Sequence, residues 1–162
     1  MIVARQRFLD IGVYQPIAEA MTSSIRQYLP EAGNCCILDA GCGEGYYLDF
    51  LRKALDGKQP EPIEWIGLDI SKPAIQACAR RNRDITWLVA SNKQLPVLPE
   101  SVDIILSLFG FPVWDQFARA LKPGGRGGLV EAGPDHLLER RQIIYEEVKQ
   151  SPPPSLIAVE QQ

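Results

Sequence analysis

The chain has 162 residues, a length that builds one domain, and 46% of them are hydrophobic, enough for a substantial core. Its net charge of -3 gives no global attraction to nucleic acid. No stretch has the apolar length of a membrane span or the pattern of a secretory signal, so a cytoplasmic protein is expected.

Apolar runs and helical patterns alternate along the chain. Pro16 opens a helix with the apolar face Ile17, Met21, Ile25 and Leu29, and Pro30 closes it. Strands are expected over Cys36–Ala40, Ile63–Leu68, Ile85–Val89, Val102–Leu108 and Gly128–Ala132. Helices are expected between them, over Tyr46–Leu55, over Pro73–Arg81 with Ser71 as a cap, and over Val113–Leu121. This interleaving implies right-handed β-α-β units and a parallel sheet covered on both faces. A further helix over Pro134–Gln150 stops at the prolines of residues 151–154. Residues 1–150 therefore read as one domain, with 1–30 as a helical lead-in and 151–162 as a proline-rich tail.

The four cysteines (Cys35, Cys36, Cys42, Cys78) form no C-x-x-C pair and have one histidine for company. No metal site is expected, and reduced, mostly buried thiols are. Arginines cluster at Arg80, Arg81 and Arg83 and again at Arg140 and Arg141, a pattern that ordinarily marks a solvated helix face.

The chemistry gathers at the first strand-to-helix turn, Gly41-x-Gly43-x-Gly45. A strand, a glycine-rich turn and a helix form the layout of a nucleotide-binding turn. The dehydrogenase pattern G-x-G-x-x-G is not met, because position 46 is Tyr46, and no Lys-Ser or Lys-Thr pair follows to make a phosphate loop. Asp39 stands two residues ahead of the first glycine. Asp69 ends the next strand, where a carboxylate accepts both hydroxyls of a ribose. The plainer readings are a tight turn for the glycines and a helix cap for Asp69.

In order, "ILDAGCGEGYY", "WIGLDISKPAI", "WLVASNKQLPV", "SVDIIL" and "RALKPGG" resemble the motifs of class I S-adenosylmethionine-dependent methyltransferases. The resemblance implies a Rossmann-like α/β fold, a parallel sheet of about five strands in the order 3-2-1-4-5 with helices on both faces. It also implies S-adenosyl-L-methionine as cofactor. Its amino-acid and ribose portions would lie against Gly41, Gly43 and Gly45, with Asp39, Asp69 and Ile70 completing that part of the site. Ala90 and Ser91 would flank the adenine, and Leu108 and Phe109 would face the methyl group and substrate. Taken singly, Ile70 and Leu108 read as core residues.

"ARQRFLDIGVYQPI", "GCGEGYY" and "GPDHLLERRQIIYEEV" are similar, more narrowly, to the bacterial guanine-N1 methyltransferases of large-subunit ribosomal RNA. That resemblance adds Tyr14, Glu44 and His136 as cofactor contacts and ribosomal RNA as partner. The chain departs from that family in starting after the zinc module and stopping before the last strands of the sheet. Its proline after the fourth strand is displaced by one, in Phe109-Gly110-Phe111-Pro112. An edge left open at Gly128–Ala132 is expected to self-associate or to be covered by the tail at Leu156–Val159. Glu131, Asp135 and His136 sit where a general base would be sought, and none is assigned. Three readings stay open: a ribosomal RNA methyltransferase, a methyltransferase of small molecules, and a cofactor-binding domain without catalysis.

Overall fold

The computed structural model describes residues 14–31, 33–59 and 61–131. In chain order these form α1 (Gln15–Arg26), β1 (Cys35–Ala40), α2 (Tyr46–Leu55), β2 (Ile63–Asp69), α3 (Lys72–Arg81), β3 (Thr86–Val89), β4 (Val102–Leu108), α4 (Trp114–Ala120) and β5 (Leu121–Val130). The strands make one sheet in the order β3-β2-β1-β4-β5, and every pairing is parallel. This is the expected class I methyltransferase order, with β1 at the centre.

β1 is buried along its whole length, as a central parallel strand covered on both faces must be. Its side chains alternate between two cores. Cys35 and Ile37 point toward Leu48, Leu51 and Leu55 of α2, with Ile25 of α1 behind them. Cys36, Leu38 and Ala40 point the other way, toward Phe117 and Ala120 of α4 and Leu95 of the preceding loop. Ile37 and Leu38 have no exposed surface, and burying an aliphatic side chain of that size contributes about 1.5–3 kcal/mol. Arg119 of α4 donates to the carbonyls of Val97 and Leu95 at 3.0 and 2.8 Å, tying that loop to the helix.

Three elements differ from the sequence-based expectation. α1 ends at Arg26 rather than reaching Pro30: the residue before a proline avoids helical geometry, so Leu29 packs on the core from a turn. Leu121 belongs to β5 and not to the helix; its backbone is extended and it pairs with Val102. The register then shifts across the following turn, and Arg126–Val130 pairs with Ile104–Leu108. The strand expected from Gly128 therefore begins seven residues earlier at Leu121, hidden by glycines that carry no hydropathy signal. Gly128 lies over Leu106, whose Cδ2 would stand 2.9 Å from an added Cβ, so a side chain there would press on the core. Ala132, the expected helix over Pro134–Gln150 and the tail at Leu156–Val159 lie outside the described residues.

Candidate functional site

The carboxyl ends of β1, β2 and β4 converge, as they do wherever an open α/β sheet builds a site. After β1 the chain folds back on β2: the N–H groups of Gly41 and Cys42 both donate to the Leu68 carbonyl, at 2.7 and 2.9 Å. The three glycines then serve different ends. Gly43, at φ +54°, faces open space, with nothing within 4 Å of where a Cβ would stand. Gly45 caps α2 in the left-handed region at φ +71°, and its missing side chain admits a tryptophan. A Cβ on Gly45 would stand 2.5 Å from Trp87 Cη2, and one on Gly67 would collide with the same ring. Gly45 thus has a packing reason to lack a side chain, apart from any approach of a ligand to its backbone. Trp87 is a residue the sequence reading missed; its signal is the pairing of the largest side chain on β3 with Gly67 directly across on β2.

The indole is held from its other side as well. Trp87 Nε1–H donates to the Asn82 carbonyl at 2.8 Å, and the Asn82 amide donates to Asp49 Oδ1 at 2.6 Å. Burial works to raise the Asp49 pKa, but hydrogen bonds from Lys53 and Asn82 outweigh it and hold the carboxyl below its ordinary value.

Both acids stand beside the glycine turn at this end of the sheet. Asp69 reaches back across the turn: Oδ2 accepts the Gly43 N–H at 2.9 Å and Oδ1 accepts the Ser71 N–H at 2.8 Å. The cap of α3 is Ser71 itself, whose hydroxyl accepts from Ala74 N–H at 3.4 Å. Asp39 lies beneath, 1% exposed, and its Oδ1 has no protein hydrogen-bond partner. Burial, reinforced by the charge of Asp69, pushes its pKa up to about 7. Ile70 is three-quarters exposed, which rules out the core reading, whereas Leu108 is a core residue. Ala90 closes the rim by donating its N–H to the Asp69 carbonyl at 3.1 Å, and half-buried Ser91 follows. Glu44 sits in the turn with its carbonyl accepting from Arg81 at 2.6 Å.

On the β4 side the chain turns sharply. Phe109 adopts φ +54°, a conformation unfavourable for a bulky residue, and donates its N–H to the Val130 carbonyl at 2.7 Å. Its ring meets Tyr14 edge-on and Tyr47 tilted, each with centroids 6.3 Å away. Tyr14, at the start of α1, is thereby placed at the same end of the sheet as the glycine turn. Asn92 joins the two sides: its amide nitrogen donates to the Ala40 carbonyl at 3.3 Å and to the Phe111 carbonyl at 3.2 Å. Asn92 lies within "WLVASNKQLPV" but was assigned no role there, and its two bonds are visible only in three dimensions. Glu131 is exposed, and Asp135 and His136 lie outside the described residues.

The four thiols are free. Burial raises the pKa of each, to about 11 for Cys35 and Cys78 and about 12 for Cys36, and further for Cys42, so none is a ready nucleophile. Among the described residues no group of His, Cys, Asp or Glu is arranged to hold a metal ion, and no helix is long and apolar enough to cross a membrane. A cleft of about 490 Å³ opens instead at the amino end of β2, lined by Arg52, Leu55, Trp65 and Asp84. It lies at the opposite end of the sheet from the glycine turn and gathers no chemistry of its own.

A nucleoside with a charged amino-acid arm fits what the site offers. There is open space over Gly43, an acceptor pair at Asp69, a buried acid with an unused oxygen and an exposed aliphatic side chain at Ile70. This fold and site define a class I S-adenosylmethionine-dependent methyltransferase. Residues 37–125, more than half of the chain, match the family described as methyltransferase domain, and the chain belongs to that family.

Among proteins of known name, the chain is 32% identical over 151 residues to the "Putative 23S rRNA (guanine-N(1)-)-methyltransferase YxjB" of Bacillus subtilis (strain 168), covering 88% of this chain and 50% of that one. It is 30% identical over 140 residues to the 23S rRNA (guanine(748)-N(1))-methyltransferase of Streptomyces fradiae, covering 86% and 48%. The chain thus spans about half the length of these relatives. Solved structures of the same fold include the plantazolicin methyltransferase BpumL in complex with an analog and SAH. That likeness has a TM-score of 0.65 and 19% identity, over 87% of this chain and 56% of that one. A SAM dependent methyltransferase from Aquifex aeolicus gives a TM-score of 0.57 at 18% identity, over 82% and 69%.

Proposed function

We propose that the chain binds S-adenosylmethionine at the carboxyl ends of β1 and β2 and serves methyl transfer to N1 of guanine in large-subunit ribosomal RNA. The observation that carries the cofactor reading is Asp69, whose two carboxylate oxygens are fixed by backbone N–H groups while keeping lone pairs for a ribose diol. Gly41 and Gly43 would give backbone to the amino-acid arm. Asp39, Glu44, Tyr14 and His136 would surround it, Ile70 would lie beside the ribose, and Ala90 and Ser91 would border the adenine. When bound, the cofactor supplies a methyl group on a positively charged sulfur, already a good leaving group. The protein's part is chiefly to hold the acceptor in line, with Leu108 and Phe109 bounding the acceptor side.

Guanine N1 must give up its proton, and a base in helical RNA must first be extruded. Glu131, exposed just past the end of β5, stands at the carboxyl end of a strand, where open α/β sheets build their sites, and it is left without an assigned role. The two named relatives support the RNA acceptor. The net charge of -3 favours a second reading, in which the acceptor is a small molecule. Calorimetry with S-adenosylmethionine, followed by transfer of labelled methyl to unmodified 23S ribosomal RNA, separates them. Labelled RNA with modification at guanine N1 is the expected result. Binding of NADH in place of S-adenosylmethionine would remove the whole reading.

A further inference from the structure

The loop between β4 and α4 carries an aromatic ring that the fold leaves uncovered on a backbone it holds in place. Phe111 is 88% exposed, the most exposed large hydrophobic side chain among the described residues, and Trp114, three residues on, is 41% exposed. Single exposed apolar residues are ordinary. This one differs because its backbone is anchored. Its carbonyl accepts from Asn92, the same amide that holds the Ala40 carbonyl at the end of β1. Pro112 follows and restricts Phe111 to extended geometry. On the other side, Gly110 passes so close to β4 that an added Cβ would stand 3.2 Å from Ser107 Oγ, and Phe109 is held in its strained conformation by the bond to Val130. A ring on a fixed backbone loses little freedom when something packs on it, so contact there is favourable from the start.

We propose that Phe111 is a stacking platform for an unpaired nucleobase of the RNA substrate beside the guanine that enters the site, with Trp114 flanking it and Asn92 anchoring the loop. The inference rests on RNA being the acceptor. Aromatic faces are the usual partners of splayed bases in single-stranded loops, and they accept any base because every base has a π-face. Extruding a guanine leaves its neighbour unstacked, and an anchored ring at the rim of the site supplies the lost surface.

The test uses the full chain and an RNA hairpin with a guanine in its loop and 2-aminopurine as the next residue, read by fluorescence quenching and by titration. Phe111→Ala is expected to weaken RNA binding by about 5- to 150-fold, the range for loss of one stacked base, and to abolish the quenching. Phe111→Trp is expected to keep both. Both variants should bind S-adenosylhomocysteine like the unaltered protein by calorimetry, which reports an intact fold. Asn92→Asp, which loses both donors, is expected to weaken RNA binding by less than Phe111→Ala. Unchanged RNA affinity in Phe111→Ala would overturn the stacking role while leaving RNA as the acceptor. Full affinity in Asn92→Asp would overturn the anchoring. A chain that binds S-adenosylhomocysteine but no RNA at all would remove this inference together with the reading beneath it.

Discussion

Replacing Gly45 by alanine is the most direct test of how the glycine turn is built. Two costs are expected. An L residue at φ +71° loses roughly 1–2 kcal/mol from the left-handed conformation alone. The new Cβ would also stand 2.5 Å from Trp87 Cη2 and 3.1 Å from Cys78 Sγ. The indole has little room to retreat, since Gly67 lies against the adjoining atoms Cζ3 and Cε3 and Nε1 is bonded to Asn82. Overpacking of this kind typically adds about 1–3 kcal/mol, so Gly45→Ala should cost about 2–5 kcal/mol in urea denaturation. Gly43→Ala is the internal control: it also has positive φ, but nothing lies within 4 Å, so only the backbone part of about 1–2 kcal/mol applies. A double-mutant cycle isolates the clash. In a Trp87→Ala background the clash with the indole vanishes and only the milder contact with Cys78 Sγ remains, so Gly45→Ala should cost about 1–3 kcal/mol less than in the parent. Equal costs in the two backgrounds, or a Gly45→Ala no worse than Gly43→Ala, would refute the reasoning.

Asp69→Ala orphans the Gly43 and Ser71 N–H groups and removes the diol acceptor, so S-adenosylmethionine affinity should fall by on the order of 1–3 kcal/mol in calorimetry; unchanged affinity would detach that carboxylate from the cofactor. Asp39 keeps its proton up to about pH 7 when folded, against an ordinary value of 3.8. The native state therefore binds more protons between those values, and this group's contribution to stability is lost as pH rises from about 4 to about 7. Asp39→Asn, with no proton to lose, should flatten that part of the profile in urea melts, and parallel profiles would count against the buried acid. The outer edge of β5 pairs with no other strand among the described residues, so light scattering over a concentration series should show self-association unless the tail at Leu156–Val159 covers the edge; a clean monomer with fast amide exchange along residues 128–132 would show that the edge tolerates water.

How much of this was legible in the sequence depends on where the signal lived. Strand positions, the glycine turn and the pair of acids were readable, because hydrophobic runs and motif spacing act along the chain, whereas the strand order came only with the family resemblance. β5 was misplaced because Gly124, Gly125, Gly127 and Gly128 carry no side chain to register in a pattern, although Gly125 is crowded by backbone and Leu121, and Gly128 by Leu106. Trp87 was read as one more residue of a strand, since its partners Gly45 and Gly67 are distant in sequence. Asn92 was invisible for the same reason: both carbonyls it holds belong to other segments. Ile70 read as core because it continues an apolar strand, but the strand has already ended and the side chain projects from its tip.

The central place of β1 also governs the order in which the molecule can be made. β1 meets β2 early in synthesis, but its other edge waits for β4, and the bond from Cys36 N–H to Asp103 spans 67 residues. Until β4 has emerged, Ile37 and Leu38 lack one flank of their shelter, and closing a loop of that length is slow compared with forming a helix. A chain growing at about 5–20 residues per second spends several seconds in that half-built condition. During those seconds the strand that will become buried along its whole length has a partner on one edge only.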